Sequence, residues 1–265
     1  MNNNYNLSVV IPALNEEKNI LLAIDNTLSA FKEFGIAGEI IVVNDGSTDS
    51  TSTLVKNKII GEASVLKMVT HDKRKGIGAS FWDGVDNATG EAVVMIPGDN
   101  ENDPREILRY YKLLEHVDIV VPFIFNKEAR SFFRKVISSA YRFVINATFS
   151  VNFNYTNGTI LYRRSILKEL DCRSSGFFFQ ADILIRTAKN GYLFAEVPYM
   201  LGKRKEGKSK AITFSSLAQV VKEYLRLVSN YYFGKNSSTN SRQAKDKARF
   251  SPDSLTAVRR DNKFL

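Results

Sequence analysis

The segment EIIVVNDGSTDST, residues 39–51, joins a β-branched hydrophobic run to a polar turn. The run, residues 39–44, predicts a buried strand, and Gly46 permits the turn that follows it. Thr48 is predicted to cap a helix from about residue 48 to residue 57. A buried strand that leads through a polar turn into a helix is the building unit of a parallel sheet.

The same unit repeats on both sides of this segment. The other strands predicted in the first half lie at residues 7–12, 65–70 and 92–97, and the other helices at residues 16–34, 78–88 and 104–115. Asn15 is the predicted N-cap of the first helix. Strands that alternate with helices predict an α/β fold, in which helices flank a mostly parallel sheet on both faces. In such sheets ligands bind beyond the carboxyl ends of the strands.

The second half of the chain is less regular. Its predicted strands lie at residues 118–122, 158–162 and 193–197, and its predicted helices at residues 128–148, 178–190 and 214–232. The first and last of these helices are amphipathic, and cations flank the apolar stripe of the first. Such helices either lie on a membrane surface or pack on the core, and packing on the core is slightly favoured.

Composition limits the class of protein. Hydrophobic residues make up 44% and charged residues 25%, which is typical of a globular protein and excludes a fibrous or disordered one. The single cysteine, Cys172, cannot form an internal disulfide, and two histidines are too few for a His/Cys zinc cage. No run approaches the roughly 20 apolar residues of a membrane span, and no signal peptide is recognisable. A cytoplasmic location is therefore expected.

The net charge of +9 is unevenly distributed. Residues 234–265 carry eight Lys/Arg against three Asp/Glu, so more than half of the excess lies there. This segment has few apolar anchors and is predicted to be a disordered, basic tail. It either contacts an anionic membrane or only improves solubility. Nucleic acid is not an expected partner, because the rest of the chain has little excess charge.

Two acidic clusters follow predicted strands. Asp45 stands where a carboxylate accepts hydrogen bonds from a base or a ribose hydroxyl, although a capped surface turn explains it equally well. Asp99 and Glu101 have the alternate spacing that, in an extended segment, points both carboxylates the same way. Paired hard oxygens suit Mg²⁺ or Mn²⁺ on a diphosphate. The alternative is an Asn/Asp-rich turn before a helix with Pro104 at its first position.

Two basic clusters complete the candidate site. HDKRKGIG, residues 71–78, does not fit a dinucleotide loop because Phe81 stands where glycine or alanine is needed. It predicts a tight turn from which Lys75 approaches a phosphate. KRKEGKSK, residues 203–210, has five cations in eight residues, which indicates either a diphosphate site or a solvated loop.

These motifs together resemble a known family. The motifs VIPALNEE, NDGSTDST, KGIG and PGDNE, at residues 10–17, 44–51, 75–78 and 97–101, have the order and spacing of family 2 glycosyltransferases of the GT-A fold. The motifs FQAD, EVP and RKEGKSK, at residues 179–182, 196–198 and 204–210, are similar to those of polyprenyl-phosphate sugar synthases of the dolichol-phosphate mannose synthase type. The resemblance covers residues 7–210.

The resemblance implies a role for each cluster. The implied donor-binding residues are Pro12, Asn15, Glu16, Asp45, Lys75, Gly98 and Lys210. The implied metal ligands are Asp99 and Glu101, holding Mg²⁺ or Mn²⁺. The implied catalytic residues are Asp182, facing the acceptor, Arg204 on the donor phosphates, and Asp99. Residues 1–233 would form the GT-A domain, with a nucleotide-binding half at 1–116 and an acceptor-side half at 117–233, followed by the tail at 234–265.

The sequence departs from the family pattern at four positions. Pro97 replaces the first aspartate of the usual Asp-x-Asp turn, and Glu101 stands where glutamine is common. Asn154 replaces a usual aspartate, and Asp182 replaces a more frequent glutamate. These departures leave the identity of the donor and the acceptor open.

The expected function is inverting transfer of a sugar from a UDP- or GDP-sugar. The expected acceptor is a polyprenyl phosphate at the inner face of the cell membrane, with peripheral membrane contact. One alternative is a hydroxyl acceptor in surface polysaccharide or glycolipid synthesis, for which Asp182 would act as general base. A second alternative is a nucleotide-sugar binding protein without catalysis.

Overall fold

The computed structural model of the chain describes residues 6–126, 132–170, 173–200 and 214–233. Seven strands form one sheet: β1 Leu7–Ala13, β2 Gly38–Asn44, β3 Leu66–Thr70, β4 Ala92–Met95, β5 Ile119–Ile124, β6 Leu161–Arg163 and β7 Phe194–Tyr199. Their spatial order is β3-β2-β1-β4-β6-β5-β7. Strands β1 to β4 are mutually parallel, β6 is antiparallel to both of its neighbours, and β5 and β7 are parallel to each other. The predicted α/β fold with a mostly parallel sheet is confirmed.

Eight α-helices accompany the sheet in the described part of the chain. They are α1 Ile20–Phe34, α2 Thr51–Glu62, α3 Ile77–Asn87, α4 Pro104–Leu108, α5 Phe132–Phe149, α6 Arg164–Lys168, α7 Phe179–Lys189 and α8 Phe214–Phe233. A 3₁₀ helix, Tyr111–Glu115, follows α4, so the single helix predicted over residues 104–115 is in fact two. The sequence pattern did not predict the short helix α6.

The sheet has a hydrophobic core on each face because its central strands are apolar at consecutive positions. On β1, Val9 and Ile11 point to the core that includes Ile24 of α1, whereas Val10 points to the core that includes Phe81 of α3. All seven residues of β2 are buried. This two-sided burial fixes the register of the central strands, and with it the position of the loops at their carboxyl ends.

Amphipathic helix α5 differs from the expectation. On α5, Ile145 and Phe149 are buried, but Val136, Ile137 and Ala140 are exposed. The favoured interpretation, that this stripe packs on the core, is therefore wrong for these three residues. No helix in the described ranges is long and apolar enough to cross a bilayer.

The chain divides into two compact units, of which the first ends at Leu225 and the second begins at Arg226. The predicted boundary at residue 233 and the predicted disordered tail at 234–265 stay predictions, because residues 234–265 lie outside the described part.

Candidate active site

The loops after β1 and β2 are joined by reciprocal hydrogen bonds at the carboxyl edge of the sheet. Asn15, at φ 54°, donates its backbone N–H to Oγ of Ser47 at 3.0 Å. Its own Oδ1 accepts the backbone N–H of Thr48 at 2.8 Å. The backbone N–H of Glu16 donates to Oγ1 of Thr51 at 2.8 Å. Each loop thus satisfies polar groups of the other.

Two acidic residues complete this junction. Asp49 accepts the backbone N–H of Glu17 at 3.1 Å, and Glu17 accepts that of Ser50 at 3.0 Å. Burial alone would raise the pKa of Asp49, but its hydrogen bonds with Thr51 and Glu17 outweigh this effect and lower the pKa. The loop after β1 is therefore held by hydrogen bonds to the loop after β2. Three residues predicted to bind the sugar donor lie in or beside it: Pro12, Asn15 and Glu16.

Two capping predictions are wrong. Helix α1 begins at Ile20, with Asn19 rather than Asn15 as its N-cap, because the side chain of Asn15 is used by the β2 loop. Helix α2 begins at Thr51, so Thr48 lies too early to cap it. The backbone N–H of Thr51 is instead accepted by Asp49 at 2.9 Å. Both residues do lie in polar turns, as predicted. Their hydrogen-bond partners, however, belong to the neighbouring loop and not to the helix that follows.

Asp45 lies at the carboxyl end of β2, as predicted, and is 5% exposed. Its Oδ1 accepts the backbone N–H of Lys75 at 2.7 Å and its Oδ2 accepts that of Gly76 at 3.0 Å. Oδ1 also lies 2.7 Å from Nδ1 of His71. A carboxylate has about four acceptor positions. Asp45 therefore orders the loop after β3, and its contacts within the described ranges leave one position for another donor group.

His71 was not among the predicted site residues. Its second ring nitrogen, Nε2, lies 2.7 Å from Oδ2 of Asp83 on α3, which also accepts Nζ of Lys75 at 3.1 Å. Burial of Asp83 opposes its ionisation, but the hydrogen bonds from Lys75 and His71 outweigh that effect and lower the pKa of Asp83. A histidine directly after a predicted strand was the sequence signal for this network.

The glycines of the KGIG motif permit close contact with the loop before α7. Gly76 has φ 101°, a conformation that favours glycine. Gly78 donates its N–H to the carbonyl of Ser175 at 3.0 Å, and a Cβ at this position would lie 2.6 Å from the carbonyl oxygen of Ser174. The loop that precedes the predicted acceptor residue is thereby fixed to the amino end of α3.

The acidic motif after β4 is a turn. Asn100 has φ 57°, and Oδ1 of Asp99 accepts the backbone N–H of Glu101 at 3.1 Å. The extended conformation assumed for Asp99 and Glu101 is therefore wrong. Gly98 donates its N–H to the carbonyl of Pro12 at 3.0 Å, which places the turn beside the β1 loop.

The donor set of this turn fits a hard divalent cation that other ligands help to hold. Asp99 and Glu101 provide carboxylate oxygens, the ligands that Mg²⁺ and Mn²⁺ prefer. No group of three or more His, Cys, Asp or Glu side chains suited to a metal occurs in the described ranges. Water and a substrate diphosphate would have to complete the coordination, as is common for Mg²⁺. Helix α4 begins as predicted, with Pro104 in its first turn.

The predicted acceptor residue lies in the first turn of α7. Asp182 is 5% exposed, and its Oδ1 accepts Nε of Arg186 at 2.6 Å. Asn154, where the family usually has aspartate, donates its backbone and side-chain N–H groups to the two carboxylate oxygens of Glu196, at 2.7 and 2.6 Å. An aspartate at position 154 would face that carboxylate with a second negative charge. Arg204 and Lys210 lie outside the described residues.

Comparison with known proteins agrees with this geometry. The sequence model of the family described as Glycosyl transferase family 2 matches residues 8–171. The chain is 29% identical over 167 residues to dodecaprenyl-phosphate galacturonate synthase of Rhizobium johnstonii, covering 62% of this chain and 49% of that protein. It is 29% identical over 207 residues to undecaprenyl-phosphate 4-deoxy-4-formamido-L-arabinose transferase of Pectobacterium carotovorum, covering 77% and 62%. The chain thus spans about half to three fifths of these relatives.

Known structures share the fold. Glucosyl-3-phosphoglycerate synthase of Mycobacterium tuberculosis, in complex with Mn²⁺, UDP-glucose and phosphoglyceric acid, has a TM-score of 0.63 to this chain at 21% identity, covering 88% of this chain and 81% of that one. Its complex with Mg²⁺ and UDP has a TM-score of 0.62 at 20% identity, with the same coverage. The predicted GT-A fold is confirmed by these likenesses.

Proposed function

Because the chain belongs to glycosyl transferase family 2, we propose that it transfers a sugar from a nucleoside-diphosphate donor to a polyprenyl phosphate. The observation that carries the proposal is the braced edge of the sheet, where the loops after β1, β2, β3 and β4 meet around Asp45 and Gly98. Ligands of open α/β sheets bind at such an edge. Both of the bacterial relatives described above are named for transfer to a polyprenyl phosphate, which supports the acceptor.

The donor half of the site would be formed by the predicted residues Pro12, Asn15, Glu16 and Asp45, with Lys75 on the phosphate side. The remaining acceptor position of Asp45 suits an N–H or O–H of the nucleoside. Asp99 and Glu101 would hold Mg²⁺ or Mn²⁺ on the diphosphate. The complexes of glucosyl-3-phosphoglycerate synthase with Mg²⁺ or Mn²⁺ and UDP support this part of the proposal for the fold.

The proposed reaction is an inverting displacement at the anomeric carbon. A bound divalent cation would supply electrostatic stabilisation of the departing nucleoside diphosphate. Arg204 and Lys210 would add positive charge to the same leaving group. The acceptor phosphate is already ionised at neutral pH, so its oxygen attacks without a general base.

The role of Asp182 separates this acceptor from a hydroxyl, because a hydroxyl acceptor needs a base within hydrogen-bond reach. Oδ1 of Asp182 accepts Nε of Arg186, so a hydroxyl would have to use another acceptor position of this carboxylate. We expect Asp182→Asn to retain most of the turnover with a polyprenyl phosphate. A fall of roughly 100-fold or more, the usual contribution of a general base, would instead favour the hydroxyl-acceptor alternative.

Peripheral contact with the membrane forms part of the proposal. The exposed apolar residues of α5 include Val136, Ile137, Phe143 and Val144. The helix carries three cations and no acidic residue. An apolar stripe with positive charge suits an anionic lipid surface, where the acceptor lipid would be held. The site would then act at the cytoplasmic face of the membrane.

Donor binding is the first test. Thermal unfolding is measured with UDP, GDP, UDP-glucose and GDP-mannose, each with and without Mn²⁺. A ligand at a hundred times its dissociation constant stabilises the folded state by about 2.7 kcal/mol. We expect a Mn²⁺-dependent shift with one nucleotide that Asp99→Ala abolishes and Asp25→Ala, a change in a surface ion pair with Lys58, does not.

Transfer is the second test, with radiolabelled donor and undecaprenyl phosphate in detergent. A labelled lipid product that requires Asp99 supports the proposal. Donor binding without transfer or donor hydrolysis would support the alternative of a nucleotide-sugar binding protein. The absence of any nucleotide shift would contradict the proposed donor site.

A further inference from the structure

His71 makes an unusual pair of contacts. It follows the last residue of β3, continues the sheet pairing through its N–H to the carbonyl of Asn44 at 2.9 Å, and is 4% exposed. Its two ring nitrogens each lie 2.7 Å from a carboxylate oxygen, that of Asp45 on one side and that of Asp83 on the other. The ring therefore links the candidate nucleoside residue to helix α3.

The chemistry of this arrangement requires a particular form of the ring. An ionised carboxylate only accepts hydrogen bonds, and a neutral imidazole donates only one. With a neutral ring, the nitrogen that lacks a proton would face a carboxylate oxygen, and neither atom could donate a hydrogen bond. The imidazolium donates to both, so it is the form that satisfies Asp45 and Asp83 together.

The surrounding charges are consistent with this assignment. Among the residues that the structure describes, the charged groups in contact with the ring or its partners are Asp45 from the loop after β2, Asp83 from α3, and Lys75 from the loop before α3, whose Nζ lies 3.1 Å from Asp83. The net charge of this group is zero when His71 is an imidazolium, because Lys75 and the ring then balance the two carboxylates. Neutral His71 would leave one net negative charge beside the predicted donor diphosphate.

We propose that His71, as an imidazolium anchored by Asp83, is a positioning residue for the nucleotide donor that acts through Asp45. The inference rests on the proposed function, because it assumes that Asp45 contacts the donor. When the ring loses its proton, one of the two carboxylates loses its donor and the Asp45 carboxylate is held less firmly. Donor affinity is therefore lower with a neutral ring than with the imidazolium.

The test measures the dissociation constant of the nucleotide sugar from the thermal-shift panel across neutral pH. A nucleotide sugar is used because its diphosphate diester stays fully ionised near neutral pH. For the wild type we expect binding to weaken several-fold as pH rises. His71→Asn should weaken binding about tenfold at low pH, the scale of one charge-assisted hydrogen bond, and should remove most of the pH dependence.

Asp83→Asn distinguishes positioning from mere folding. The side chain of the new asparagine can donate to Nε2, so a neutral ring then satisfies both neighbours while its Nδ1–H still donates to Asp45. We expect this variant to bind the donor with little pH dependence. His116→Asn is the matched control, because His116 is the other histidine of the chain and lies exposed after the 3₁₀ helix. Its profile should be that of the wild type.

The outcomes separate this inference from the proposed function. If the wild type binds no nucleotide sugar, the proposed function fails and this inference fails with it. If the wild type binds one and folded His71→Asn has the same affinity and pH profile, the inference alone is overturned. Retention of the wild-type pH profile in Asp83→Asn would also overturn it. Proton NMR of the imidazole signals, assigned with the two histidine variants, reports the protonation state of His71 directly.

Discussion

At the scale of single residues, Glu39 shows how a buried charge can stabilise the end of the sheet away from the candidate site. Its side chain is fully buried. Oε1 accepts hydrogen bonds from Oγ of Ser8 at 2.7 Å and from the backbone N–H of Thr89 at 2.6 Å. Oε2 lies 2.6 Å from Nζ of Lys67. Burial alone would raise the pKa of Glu39, but Lys67 and the hydrogen bonds outweigh burial and lower it.

We expect Glu39→Gln to lower the free energy of unfolding by about 2 kcal/mol at neutral pH, because it removes the ion pair with Lys67 and sets the side-chain amide N–H groups against Nζ of that lysine. A lowered pKa means that this stabilisation is present above the unfolded value of about 4.3 and is lost as pH falls through the folded value. The difference between wild type and variant should therefore shrink in acid. Urea unfolding at several pH values measures it.

Glu33→Gln is the matched control for this prediction. Glu33 forms a surface ion pair with Arg105 and its side chain is 50% exposed, so its change should cost less than about 1 kcal/mol. Equal losses in the two variants, or a loss at Glu39 that does not depend on pH, would contradict the assigned role.

Tyr162 on β6 presents the opposite case, a buried polar atom without compensation. The residue is 1% exposed, and in the described part of the chain its hydroxyl has no hydrogen-bond partner. Burial raises the pKa of this hydroxyl. Tyr162→Phe should therefore stabilise the protein by about 1 kcal/mol, because it removes an unsatisfied group without changing the packed ring.

Tyr199→Phe is the control for Tyr162, since the hydroxyl of Tyr199 donates to Oδ1 of Asn102 at 3.0 Å. This change should destabilise the protein by about 1 kcal/mol. Thermal and urea unfolding of the two variants should thus move in opposite directions. A loss of stability in Tyr162→Phe would show that the hydroxyl has a partner such as an ordered water.

At the scale of elements, the packing of α3 on β1 depends on Gly84. A Cβ at this position would overlap Cγ1 of Val10 and lie 2.7 Å from its Cγ2. We expect Gly84→Ala to destabilise the protein by about 1–2 kcal/mol, because the overlap costs more than the helix propensity of alanine contributes. Gly61→Ala on α2 should stabilise it by about 0.5–1 kcal/mol, since nothing lies within 4 Å of its Cβ position. Urea unfolding that showed the same sign for both would contradict this account.

The elements also show what the sequence could predict. The strands β1 to β4 and the helices between them were predicted to within a few residues. The hydrophobic runs of β1, β2 and β4 gave a clear signal because they are buried on both faces of a parallel sheet. The antiparallel pairing of β6 was not predicted, since only three residues form it and nothing local marks its direction. Asn15 and Thr48 were predicted as helix caps, whereas they bond to each other across two loops.

The candidate site was predictable in composition but not in its contacts. Asp45 and Gly98 were identified from motifs and lie at the expected edge of the sheet. In the network of His71, Asp45 is 26 positions away along the chain and Asp83 is 12 positions away. Periodicity describes neighbours on one element, so contacts among three elements are beyond its reach. The same reason explains the turn at Asp99, whose left-handed neighbour Asn100 breaks the assumed alternation.

At the scale of the whole molecule, the proposed lipid acceptor requires a surface of the protein that faces a membrane. Helix α5 buries Ile145 and Phe149 on one side and exposes an apolar stripe on another, in which Phe143 is 72% exposed. Ile60 on α2 is 83% exposed but belongs to a helix outside this stripe. Phe143 and Ile60 are thus both highly exposed apolar side chains, but only Phe143 is predicted to enter a bilayer.

We expect Phe143→Ser to weaken binding to phosphatidylglycerol vesicles about tenfold or more, because burying one such side chain contributes about 1.5–3 kcal/mol. Ile60→Ser should leave vesicle binding unchanged, and neither change should lower the melting temperature, since both side chains are exposed. Flotation with vesicles of graded anionic content measures the partition, which should also weaken with salt because α5 carries only cations among its charged residues. Equal binding of the two variants would contradict membrane contact through α5. A change in oligomeric state of Phe143→Ser without a change in flotation would show that protein, rather than lipid, covers the stripe.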